Sequence, residues 1–236
     1  MIDVVEPAPP HRQPEESPRH GRLTARPAPP TALAAAGPAS LAGPGGAPPA
    51  LLYAPEPVDG PPYRLVLLLH GAGGSARQGL DLLLPVADAH RLLLVAPQSV
   101  ASSWDLIGGE GFGTDVRRID DLLATAFAGY PVAGVAFGGF SDGASYALSL
   151  GLTNGDLVDA VVAFSPGFAA PLVTRGRPRL YVSHGTRDPV LPVDVCSRRL
   201  VPRLRALGYD VTYDEFPGPH EIPPPIRTRA TTWLTT

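Results

Sequence analysis

Lysine is absent from this chain. All 19 basic side chains are arginine, set against 22 acidic ones, and the formal net charge is −3. The arginines stand singly, as Arg22 and Arg26, or in pairs, as Arg117–Arg118. No extended basic face can form from them, which sets nucleic acid aside as a partner. Cysteine is nearly absent too. Cys196 alone cannot close an intrachain disulfide, and no CxxC or Cys/His cluster offers metal ligands. It reads as a small buried or half-buried side chain within a helical pattern, and no cofactor is expected. Long apolar runs are also missing. No segment reaches the roughly 18 consecutive apolar residues of a membrane span. The start, MIDVVEPAPPHRQPEESPRH, lacks the basic region and apolar run of a secretory signal. These absences lead to the expectation of a cytoplasmic protein acting on a small molecule, as monomer or homodimer.

What is abundant is proline and apolar side chain. Twelve of the 30 prolines fall in the first 50 residues, so residues 1–20, where proline mixes with charge, read as a disordered tail. The 44% apolar fraction of a 236-residue chain suffices for one large core, which predicts a single domain over 21–236. RLTA and ALLYAPE are strand candidates flanking the Ala/Gly/Pro-rich segment 27–49, and could pair as an edge hairpin.

Beyond residue 60, strand and helix alternate. YRLVLLLHG is a continuous apolar run of the kind required by a strand covered on both faces. A helix follows over ARQGLDLLLPVADAHR, divided or kinked by Pro85. LLLVAPQ is a strand, and TDVRRIDDLLATAFAG an amphipathic helix with Thr114 or Asp115 near its N-cap. The strand VAGVAFGGF runs into the helix DGASYALSLGL, which stops at Asn154-Gly155. LVDAVVAFS, RPRLYVSHG and DVTYDEF complete the strands, and PPIRTRATTWL closes the chain as a helix. This rhythm predicts an α/β fold: a mostly parallel sheet, helices on both faces, and function at the C-terminal ends of the strands.

At one such end, residues 139–143 read Gly-Phe-Ser-Asp-Gly, the G-x-S-x-G pattern that lifts a serine hydroxyl on a sharp strand-to-helix turn. A hydroxyl becomes a nucleophile only beside a base that a third group orients. Asp188, just past the strand in LYVSHGTRDPVLP, and His220, in the loop of DEFPGPHEIPPP, follow Ser141 in the order that this turn requires. Asp194 and Asp214 compete for the acid role but fall near a helix start and within the last strand. His184 precedes the acid and His90 precedes the nucleophile, so both break the order. The backbone N–H of Asp142, at a helix N-terminus, and that of Ala72, in the loop HGAGGS, are the candidate oxyanion donors. His70 in that loop reads as structural, and the loop carries no G-x-G-x-x-G dinucleotide signature.

Together, LLLHGAGGS, APQSVASSWD, GFSDGASYAL, SHGTRDPVLP and HEIPP resemble the α/β-hydrolase superfamily, and within it most closely the phospholipase/carboxylesterase group of serine esterases. Dienelactone-hydrolase-like and polyhydroxybutyrate-depolymerase-like enzymes are nearby relatives. The resemblance runs from about Ala50 to Leu234. It implies hydrolysis of carboxylic esters or thioesters through an acyl-serine, without metal or cofactor. The group often has Gln after the nucleophile, where this chain has Asp142, and dienelactone hydrolases have Cys where it has Ser141. Neither the 47 residues from Ser141 to Asp188 nor the 32 from Asp188 to His220 leave room for a cap domain. An open site is therefore expected, with Trp104, Leu106, Ile107, Phe112, Leu191 and Ile222 as pocket-lining candidates; Phe140 fits a core position as well as a pocket one. The alternatives on the same triad are a polyester or polyhydroxyalkanoate depolymerase, a feruloyl esterase and an acyltransferase; from another class comes a slow-turnover ligand receptor.

Overall fold

The computed structural model describes residues 17–41, 49–109 and 111–236. Its spine is an eight-stranded sheet. In chain order the strands are β1 (Gly37–Leu41), β2 (Ala50–Ala54), β3 (Tyr63–Leu69), β4 (Leu92–Ala96), β5 (Val132–Phe140), β6 (Ala160–Phe164), β7 (Arg179–Gly185) and β8 (Val211–Phe216). They lie side by side as β1-β2-β4-β3-β5-β6-β7-β8. From β4 to β8 every neighbouring pair is parallel, while β1 and β2 form an antiparallel edge. The α/β expectation therefore holds.

Side chains alternate across β3, and this splits the core in two. Leu65, Leu67 and Leu69 face α3 (Thr114–Gly129), α4 (Asp142–Thr153) and α5 (Ser197–Ala206), meeting Ile119, Leu150 and Leu204 in one apolar cluster. Val66 and Leu68 face the other way. They share the second cluster with Leu80 of α1 (Ala76–Asp81), Ala87 of α2 (Ala87–His90) and Ile226 and Leu234 of α6 (Pro224–Thr235). Both layers exclude water, as continuous apolar strands require.

The expected helix over 76–91 is indeed divided around Pro85: α1 ends at Asp81, a 3-10 turn spans Leu84–Val86, and α2 follows. The edge hairpin differs from its expectation. The partner of β2 is Gly37–Leu41, inside the segment taken as a separator, with Ala39 opposite Leu52. Arg22–Ala25 forms no strand, because side chains satisfy its backbone instead. The Leu23 N–H donates to Asn154 Oδ1 at 2.9 Å, and the Thr24 and Ala25 N–H groups both donate to Asp120 Oδ1 at 2.8 Å. Of the expected tail 1–20, residues 1–16 lie outside the described residues; Pro18–His20 form a 3-10 turn capped by Ser17.

Candidate active site

The candidate site residues gather at strand ends. His70 follows β3, Ser141 follows β5, Ser165 follows β6, Asp188 lies just beyond β7 and His220 just beyond β8. Five connections thus deliver side chains to one edge of the sheet.

Ser141 has φ 59 and ψ −120, a backbone region that L-residues adopt at a cost of about 1–3 kcal/mol and that tends to mark functional turns. Its N–H donates to the Phe164 carbonyl of neighbouring β6 at 2.9 Å, and its own carbonyl accepts from Ala144 and Ser145 at 3.0 and 3.1 Å, starting α4. Gly143 makes the turn possible, since a methyl there would run into the carbonyl oxygens of Leu69 and His70. The elbow is wedged against the end of β3 with no room for a Cβ.

Asp188 and His220 meet directly: His220 Nδ1 lies 2.5 Å from Asp188 Oδ2. The other Asp188 oxygen accepts from the N–H groups of Val190 and Leu191 at 2.9 and 2.8 Å. Burial alone would push this carboxyl up. The Leu191 N–H, the His220 ring and the Val190 N–H outweigh it and hold the group below the usual carboxylate range. The His220 ring is stacked on Phe140 with centroids 4.5 Å apart, which sets the imidazole beside the residue preceding Ser141.

His184 was weighed above only as a rival base, but it supports the acid. Buried beneath Asp188, its Nε2 lies 2.7 Å from the Leu191 carbonyl and 3.3 Å from Asp188 Oδ2, while its Nδ1 meets Ser197 Oγ at 2.7 Å. Burial lowers its pKa, against the opposite pulls of Leu191 and Asp188. A neutral imidazole donating from Nε2 satisfies this set of partners.

The loop His70–Ser75 covers the elbow. A methyl on Gly71 would sit 3.3 Å from the Ser141 Cβ, so this loop is the nearest backbone to the serine from β3. Ala72 is exposed on a cleft of about 160 Å³ that Gly71, Leu82 and Phe140 also line. The Asp142 N–H begins α4, where a helix's own ladder leaves the first amides without partners. Its carboxylate is engaged elsewhere, accepting from Ser103 Oγ at 2.6 Å. His70 is structural, as expected: its Nδ1 meets the Gly71 carbonyl at 2.8 Å, its Nε2 accepts from Ser99 N–H at 3.2 Å, and burial lowers its pKa.

The pocket expectations need correction. Trp104, 1% exposed, lies in the core between the rings of His70 and Tyr146, its indole N–H donating to the His70 carbonyl at 2.9 Å. It supports the loop from below and does not line a cleft. Phe112, 4% exposed, is packed against Tyr146 and under Gly21, so the N-terminal segment covers it. Leu106 and Ile107 are half-buried against the same core. Leu191 and Ile222 are half-buried beside the acid and the base.

A further unit went unread in the sequence: the carboxylates of Asp105 and Asp115. Asp105 Oδ2 accepts from the N–H groups of Gly113 and Asp115 at 2.9 Å each, and its Oδ1 accepts from Tyr146 OH and the Leu106 N–H. Asp115 accepts from the Val100 and Asp105 N–H groups at 3.0 Å each, and burial raises its pKa. Asp105, in the loop that leads into α3, therefore caps its start; Gly113 is the N-cap residue, and Thr114 and Asp115 follow it directly, near the cap as expected. Cys196 is buried and free, and no cluster of potential metal ligands occurs among the described residues.

Comparison with known proteins decides the family. The family model of phospholipases and carboxylesterases matches residues 110–235, more than half of the chain. The chain belongs to the phospholipase/carboxylesterase family. That places it among the α/β-hydrolase serine esterases, enzymes that act on ester bonds. Among solved structures, esterase PE8 is 27% identical, with 83% of this chain and 98% of that one covered and a TM-score of 0.63. The phospholipase/carboxylesterase from Dyadobacter fermentans DSM 18053 is 22% identical over 79% of this chain and 96% of its own, with a TM-score of 0.61. S-formylglutathione hydrolase from Staphylococcus aureus is 16% identical over 86% and 99%, with a TM-score of 0.67. The last two likenesses concern the fold alone. A search of curated protein sequences finds no match. Among the described residues no helix is long and apolar enough to cross a membrane.

Proposed function

We propose that this member of the phospholipase/carboxylesterase family hydrolyses small carboxylic esters with Ser141 as nucleophile, His220 as general base and acid, and Asp188 as the group that orients His220. The observation that carries the reading is the Asp188–His220 hydrogen bond of 2.5 Å, formed beside a serine held at φ 59. Asp188 is anchored by two amides, so its free oxygen has one fixed direction, and His220 Nδ1–H lies along it. The imidazole then presents Nε2 to the substrate side in the tautomer that accepts a proton.

Ser141 Oγ attacks the ester carbonyl carbon while His220 Nε2 takes the hydroxyl proton. The carbonyl oxygen, now anionic, accepts from the Ala72 and Asp142 N–H groups, the second aided by the dipole of α4. Collapse expels the alcohol, which leaves with the proton from His220. Water then attacks the acyl-serine, gives its proton to His220, and releases the carboxylic acid as Ser141 recovers its hydrogen.

The cleft of about 160 Å³ between Ala72, Leu82 and Phe140 is small beside typical ligand pockets of roughly 300–1,000 Å³, which favours a short acyl or alcohol group. The test is a series of p-nitrophenyl esters from acetate to decanoate. The expected result is a maximum of kcat/KM at acetate or butyrate and a decline beyond. No turnover of any ester, or equal turnover by Ser141→Ala, would overturn the reading.

A further inference from the structure

A second cleft has none of Ser141, Asp188 and His220 in its lining. It occupies about 370 Å³ between the loop that follows β6 and the helix α5. Its deep side is apolar: Leu152 of α4, Leu204 of α5 and Tyr209 are all buried there. Phe168, Val195 and Leu207 stand at its rim with 38%, 53% and 65% exposure, three of the seven large apolar side chains most open to water among the described residues. Concentrating exposed apolar surface around one concavity is costly in water unless something occupies it.

The walls are built, not loose. The loop is pinned to α4, because the Gly167 N–H donates to Ser145 Oγ at 2.9 Å and the Ala170 N–H to Ser149 Oγ at 2.9 Å. α5 is pinned by Ser197 on His184.

Charge marks the α5 wall. Arg199 and Arg203, one helical turn apart, line the cleft, and neither guanidinium has a hydrogen bond or ion pair among the described residues. Their neighbours on α5 are engaged. Arg198 binds Asp194 and Glu215, and Arg205 donates to the Val211 carbonyl. No acidic side chain lines the cleft. Two unengaged cations on an apolar trough complement a molecule with an alkyl chain and a carboxylate head.

We propose that this cleft binds a single-chain fatty-acid carboxylate, the chain lying between Leu152, Leu200, Leu204 and Tyr209 and the head on Arg199 and Arg203. Its lining shares no residue with the cleft beside Ala72 and Phe140, and its occupancy requires no turnover, so it stands or falls apart from the esterase reading.

The experiment is calorimetric titration with hexanoate, octanoate, decanoate and dodecanoate, each below its aggregation concentration, with dodecanol as the neutral control. The expected result is binding of one molecule per chain, tightening about fourfold per added methylene. The double variant Arg199→Gln/Arg203→Gln should weaken dodecanoate about tenfold. It should leave dodecanol binding and p-nitrophenyl butyrate hydrolysis unchanged. Ala169→Phe should fill the trough and weaken both amphiphiles; should it fail to fold, the exposed arginine pair still decides the matter. Absence of saturable binding, affinity independent of chain length, or dodecanoate binding unaffected by the arginine variant would each overturn the proposal. So would co-sedimentation with phosphatidylglycerol vesicles without binding of monomeric dodecanoate, since the patch would then face a membrane.

Discussion

Asp188 Oδ2 sits 2.5 Å from His220 Nδ1 and 3.3 Å from His184 Nε2, so one carboxylate oxygen is shared between two imidazoles of opposite character. His184 is fully buried and bound on both nitrogens, whereas His220 is partly exposed and packed on Phe140. The buried ring fixes the acid, and the acid fixes the open ring.

Asp188→Asn tests that arrangement. An amide can present N–H to His220 Nδ1, which favours the wrong tautomer. The expected loss in kcat is about 10⁴-fold with KM little changed, by analogy with the equivalent change in serine proteases. Steady-state hydrolysis of p-nitrophenyl butyrate checks it, and a drop of less than tenfold would mean that Asp188 does not orient the base.

Trp104→Phe keeps the ring in the core but removes the indole N–H that the buried His70 carbonyl accepts. Leaving that acceptor unpaired should cost about 1–3 kcal/mol of stability. Because His70 begins the loop bearing Ala72, kcat should fall while KM stays nearly constant. Urea denaturation and steady-state kinetics read the two effects separately.

Asp105→Ala strips the cap from α3 and leaves Tyr146 OH and the amides of Leu106, Gly113 and Asp115 without their acceptor. The expected destabilisation is about 3 kcal/mol, the upper end for an unsatisfied buried group bonded to a charge. A shift of less than about 0.5 kcal/mol, the scale of ordinary surface substitutions, would show that the loop leading into α3 holds without it.

Stability should fall in mild acid, where the two buried histidines oppose protonation. Burial lowers the pKa of both His70 and His184 from 6.5, so each is neutral in the folded state where the unfolded chain takes up a proton. Their contribution is complete above pH 6.5 and is lost as pH falls toward the depressed folded values. The slope in that window approaches about 1.4 kcal/mol per pH unit for each histidine. Thermal melts from pH 7.5 to 5 should show it, and His184→Gln should flatten part of it. A second loss is expected below pH 4, where Asp156, held at about 2 by Arg22, protonates.

Ser141, Asp188 and His220 were legible because each belongs to a short pattern at a strand end, and the parallel α/β rhythm fixes where strand ends go. The first strand was not legible. GPASL contains no β-branched residue, and it is a strand only because β2 offers it an edge. Trp104 and Phe112 were misjudged for a related reason. A Gly/Ser-rich loop suggests exposure, but Asp105 and Asp115 tie that loop down on their backbone amides, and Gly21 arrives from the N-terminal segment to cover Phe112. The first contacts span ten positions of one irregular loop and the last joins segments 91 positions apart, and neither leaves a periodic trace.

The central claim is that Ser141 is the nucleophile. It is tested most directly by treating the protein with a fluorophosphonate and locating the adduct by mass spectrometry of the digested chain. The expected result is one phosphonylated residue, Ser141, with labelling lost in Ser141→Ala and slowed by orders of magnitude in His220→Ala. An adduct on any other residue, or Ser141 unmodified while ester turnover proceeds, would contradict it.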